Sequence, residues 1–76
     1  MDHADERWEG TTQFDRPVQV KISRMIGGAW RVKWGTPGAI YTGGQSFTGP
    51  DPHAEAKAFA DEKMAELGTG WTLTVR

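Results

Sequence analysis

Seventy-six residues with no cysteine and a formal net charge of −1 allow one small domain, and they exclude both a disulfide framework and a thiolate metal site. No apolar run approaches the ~20 residues of a membrane span, so a soluble chain without membrane contact is expected, and the lack of cysteine fits a reducing, cytoplasmic setting. Four tryptophans are an efficient way to build a core in so short a chain.

Residues 1–16 are polar, acidic and aperiodic, and read as a mobile arm ahead of a single α+β domain over 17–76. Trp8 and Phe14 are the arm's two large apolar groups. From Val18 the chain alternates, with Val18, Val20 and Ile22 on one side and Gln19, Lys21 and Ser23 on the other, the period of a half-buried strand. Gly27-Gly28 supplies a hairpin turn. Trp30, Val32 and Trp34 then share one face and Arg31 and Lys33 the other. Gly35-Thr36-Pro37-Gly38 is a second turn signal, and a third strand is expected within Ala39–Phe47, with a bulge near Gly43-Gly44.

Asp51 and Pro52 open a helix, as an N-cap and a first-turn proline. Ala56, Phe59, Ala60, Lys63, Met64 and Leu67 form its apolar stripe, with the lysine stem laid along it. Gly68 is expected to end the helix in a left-handed conformation. Trp71, Leu73 and Val75 then alternate with Thr72, Thr74 and Arg76 in a last strand. The order β-β-β-α-β predicts a two-layer α+β fold, an antiparallel three- to four-stranded sheet with one helix packed on one face.

Charge is segregated along the chain. Residues 16–50 carry Arg16, Lys21, Arg24, Arg31 and Lys33 and no acid, whereas the segments on either side are acidic. On the expected sheet, Lys21, Ser23, Arg31, Lys33, Thr72, Thr74 and Arg76 face solvent together. Like charges on neighbouring strands repel, and a polyanion lying on them would gain from each phosphate contact by counterion release.

Catalytic chemistry has little footing. His53 lies between Asp51 and Glu55 at i, i+2 spacing, which on a helix points successive groups apart, so no metal site is expected. "GGQSFTG" lacks the Gly-Lys-Ser/Thr ending of a phosphate loop, and neither Ser23 nor Ser46 has an evident base. No enzyme activity, no catalytic residue and no cofactor are expected.

The segments R-x-x-G-G-A-W-R-V-K-W, S-F-T and A-E-A-K-A-F-A-D-E, spread over roughly Val18–Leu67, resemble the arm-type DNA-binding domain of tyrosine integrases. That resemblance implies a three-stranded sheet set in a DNA groove with a helix behind it, and Lys21, Arg24, Arg31 and Lys33 as base or phosphate contacts. Together with Arg76 these are the candidate nucleic-acid-binding residues, for DNA or RNA. The order of "GAWRVKW", turn, "TGGQSFTG", helix and closing "GWTLTVR" is also similar to HicB-like antitoxins. This second resemblance implies a protein-interaction module or small regulator, antitoxin-like or phage-type, whose contact is a sheet edge or the Trp8 and Phe14 arm. Either reading is compatible with a monomer or a homodimer.

Overall fold

The computed structural model describes residues 3–36 and 41–75. Five antiparallel strands and one helix follow in chain order as β1 (His3–Thr11), β2 (Pro17–Arg24), β3 (Trp30–Gly35), β4 (Tyr41–Phe47), α1 (Pro52–Leu67) and β5 (Thr69–Val75). The strands form one sheet in the order β4-β3-β2-β1-β5, with α1 packed mainly over β2 and β3. The two-layer α+β architecture expected from the sequence is present. No helix among the described residues is long and apolar enough to cross a membrane.

The acidic arm does not hold for residues 3–11. They form β1, inserted between β2 and β5, which raises the sheet to five strands. β1 shows no apolar alternation because its helix-side positions are filled in three different ways. Glu6 lies opposite Ile22, Trp8 opposite Val20 and Gly10 opposite Val18. The Glu6 carboxylate is satisfied by Trp8 Nε1, 2.9 Å away, and Lys57 Nζ from α1, 3.2 Å away. Gly10 is roofed by the indole of Trp71, so the apolar group over that position comes from β5.

This close approach carries a prediction. A Cβ on Gly10 would stand 2.7 Å from Trp71 Cδ2 and 2.8 Å from the Thr69 carbonyl oxygen. The indole cannot easily retreat, because its Nε1 donates to the carbonyls of Met64 at 3.0 Å and Gly68 at 3.2 Å, tying β5 to the end of α1. Gly10→Ala is therefore expected to cost about 1–3 kcal/mol by overpacking. Urea unfolding followed by tryptophan fluorescence reads this directly, and an unchanged midpoint would refute the contact.

Buried Val20, Ile22 and Val32 face Ala56 and Ala60 of α1. The two alanines are one turn apart and bring the helix backbone close to the sheet. Around this centre, half-buried Trp30, Trp34, Phe47, Phe59, Met64, Leu67 and Trp71 complete the layer. Trp34 lies over Gly43, in van der Waals conflict with any larger residue there, and packs 5.6 Å from the Phe59 ring. Lys63 follows the expected stripe, its ammonium 4.8 Å from the Trp34 ring and 3.6 Å from Glu66.

The turns follow local chemistry. Gly27 and Gly28 adopt φ values of 90° and 86°, closing the β2–β3 hairpin where the sequence places it. The β1–β2 connection is built on Thr12, whose hydroxyl accepts from the amides of Phe14 and Arg16, both at 3.2 Å. In β4 the pairing shifts between Gly43 and Tyr41, the irregularity expected near the glycine pair. Asp51 caps α1, its carboxylate accepting from the Ala54 amide at 3.3 Å. Gly68 departs from expectation: its φ of 177° is extended, and the position is small because a side chain would strike the Thr11 carbonyl.

Candidate nucleic-acid interface

The face of the sheet opposite α1 is set by strand alternation and pairing register. On β2 it receives Gln19, Lys21 and Ser23, and on β3 Arg31 and Lys33. Lys21 pairs with Lys33 on one side and with Arg7 of β1 on the other. Three cations therefore stand in one row across three adjacent strands, at the ~5 Å spacing of cross-strand neighbours. One step along β3, Arg31 lies opposite Ser23 and Ser46, and its Nε donates to Ser46 Oγ at 3.1 Å.

The row is not laid on a flat surface. Gln19 and Ser23, on the same face of the central strand, are 6% and 2% exposed. The stems of Arg and Lys pack along such a surface while their charges remain at its rim. Arg7 Nε is buried without a hydrogen-bond partner, an arrangement that costs about 1–3 kcal/mol when nothing compensates it.

Several sequence expectations change here. Lys21, Arg31 and Lys33 come together as read. Arg24 does not join them, because it pairs with Trp30, whose ring stacks on His53 of α1 with centroids 4.0 Å apart, and so belongs to the helix side. Arg76 lies outside the described residues. Arg7 joins them from β1, a segment whose sequence has no apolar alternation to mark it as a strand. The same strand brings Glu9 to this face, opposite Gln19 and Thr72, so the face is not free of acid. Its described positions hold four cations and one carboxylate. The helical back is of opposite sign, with Glu55, Asp61, Glu62 and Glu66 exposed on α1.

Trp8 and Phe14 separate. Trp8 is half-buried in β1, whereas Phe14, in the β1–β2 turn, is 75% exposed. Near that turn a cleft of about 580 Å³ is lined by Phe14, Arg16, Val18, Trp34, Glu66 and Leu67, among others. Its volume is in the range of small-ligand sites, and its charged lining residues are Arg16 and Glu66.

On the helix side, Glu6 holds β1 to α1. Burial raises its carboxyl pKa, but the hydrogen bonds from Trp8 and Lys57, with the charges of Lys57 and His53, outweigh that effect and leave it below the ordinary glutamate range. A carboxyl depressed on folding stabilises the fold above its unfolded value and loses that contribution as pH falls through the folded one. Wild type is thus expected to exceed Glu6→Gln in stability at pH 7, with the gap closing below about pH 4. Urea midpoints of the two proteins across this range test it; a gap independent of pH would contradict the assignment.

No family model, curated protein or solved structure gives a significant match to this chain.

Proposed function

We propose that the protein is a small non-catalytic binding domain that contacts nucleic acid, DNA in the first instance, through the sheet face opposite its helix. The observation that carries this reading is the Arg7–Lys21–Lys33 row, where like charges are aligned at neighbouring positions on three strands. Such a row is unfavourable for an isolated sheet and favourable for one that receives phosphates. Arg31 extends the row along β3. The half-buried aromatic rings of the sheet, Trp8, Trp30, Trp34, Phe47 and Trp71, belong to the helix side and are out of reach of bases stacking on the basic face. Phosphate contact is therefore the main source of affinity, with arginine or lysine to guanine as the route to any sequence preference. The integrase-like order of segments points the same way.

A ¹⁵N-resolved titration with a short random-sequence duplex tests the location. Amide shifts concentrated on Arg7, Lys21, Arg31 and Lys33 are expected. Shifts confined to α1, or none at low salt, would reject the reading.

Exposure of Phe14 favours a second reading, a protein-interaction module acting through the β1–β2 turn. Under it, Phe14→Ser abolishes partner capture while duplex binding is unchanged.

A further inference from the structure

Phe14 and Ile26 are the exposed large apolar side chains among the described residues, Ile26 at 84%. They lie beyond opposite ends of β2. Phe14 adjoins Asp15 and shares its cleft with Glu66, whereas Ile26 stands within the stretch 16–50 that holds no acid. It is carried on the β2–β3 turn. There the Met25 amide donates to the Ala29 carbonyl at 2.7 Å and the Gly28 amide to the Met25 carbonyl at 3.3 Å. Gly27 and Gly28 add no side chains, and no atom stands within 4 Å of where one would begin. The tip is therefore a thin, braced loop with one apolar group projecting from it. Arg24 on β2 and Arg31 on β3 flank its base, the first on the helix side and the second on the basic face. The acids in the first turn of α1 are turned onto the helix cap, Asp51 accepting from the Ala54 amide and Glu55 from the Asp51 amide.

We propose that Ile26 is an apolar wedge that enters the minor groove and parts two stacked base pairs of the duplex held on the basic face. The proposal rests on the duplex-binding reading above and goes beyond it, since cations that grip phosphates do not by themselves bend DNA. So exposed a side chain gains nothing from the fold, whereas between unstacked base pairs it buries most of its surface. Isoleucine is among the side chains that act in this way, kinking the duplex toward the major groove. A braced tip suits the task, because a wedge must hold its place while the stack resists. Ile26 lies five residues along the hairpin from Lys21, about 17 Å in extended chain, or about five base-pair steps of a duplex. The face and the tip thus engage neighbouring segments of one duplex, with Arg24 and Arg31 beside the groove that the tip enters.

Energy transfer between dyes at the two ends of a duplex of about 30 base pairs, with a central TA step of the easily kinked kind, tests the wedge. Binding of the wild-type chain is expected to raise the transfer. Ile26→Ser should bind about three- to tenfold more weakly, with its salt slope unchanged because no phosphate contact is lost. It should leave the transfer at the value of the free duplex. Ile26→Phe, which keeps an apolar wedge, should bend the duplex as wild type does. The side chain is exposed, so all three proteins are expected to unfold at the same urea concentration. Wild type that binds without bending, or Ile26→Ser that bends as wild type does, overturns the wedge and leaves the duplex-binding reading intact. Absence of binding at low salt removes that reading itself, and the wedge with it. If Ile26→Ser instead loses binding to phosphatidylserine vesicles while bending is unchanged, the tip belongs to a membrane surface and the wedge is overturned.

Discussion

Replacing Ile22 by alanine is expected to remove about 2–5 kcal/mol of stability, a large share of the ~4–11 kcal/mol that a domain of this length possesses. Ile22 is 1% exposed and heads the fully buried side chains by volume. It sits on the central strand, between Glu6 of β1 and Val32 of β3, in the cluster closed by Ala56 and Ala60. The helix cannot sink to fill the lost volume, because its two contact residues are already alanines against the sheet. The cavity therefore persists, and its cost adds to the lost transfer energy. At roughly 4–8 °C per kcal/mol for a domain of this size, the thermal midpoint should fall by at least ~8 °C. A loss below about 1 kcal/mol would mean that the helix does not pack where it is described.

Lys21→Glu is expected to move stability and binding in opposite directions. Lys21 stands between Arg7 and Lys33. Exchanging it for an acid turns two like-charge neighbours into two opposite-charge ones, each worth about 0.2–1 kcal/mol. The variant should unfold at higher urea than wild type, with the gain reduced in high salt. Its affinity for duplex DNA should fall tenfold or more, since a phosphate contact is lost and a repulsive charge introduced. A residue selected for the fold alone would not behave this way. Loss of both stability and binding would indicate that the row is structural.

The sequence was most legible where its periodicity was uninterrupted. Val18–Ile22 and Trp30–Trp34 alternate cleanly, the Ala56–Leu67 stripe recurs at helical spacing, and these elements form as expected. They also fix the outward positions of Lys21, Arg31 and Lys33. β1 was hidden because local pattern cannot display a strand whose inward residues depend on remote partners. Glu6 is compatible with the helix side only through Lys57 on α1, and Gly10 only through the Trp71 ring on β5. Once β1 was read as an arm, Arg7 and Glu9 were lost from the face, and an acid-free surface was expected where one carboxylate is present. Arg24 is a different case. Counting by two from Ile22 places it on the helix side, so the periodicity already separates it from Lys21, Arg31 and Lys33, with which the integrase-like resemblance groups it.

The central claim is that aligned cations on the sheet face bind phosphates, and salt dependence measures this most directly. Each phosphate neutralised on duplex DNA contributes about −0.9 to the slope of log K against log salt. Contacts by Arg7, Lys21, Arg31 and Lys33 therefore predict a slope of about −3 to −4 for the wild-type chain on a random duplex. Lys21→Glu should flatten it by about one. Absence of binding at low salt, or a slope near zero, would contradict the account.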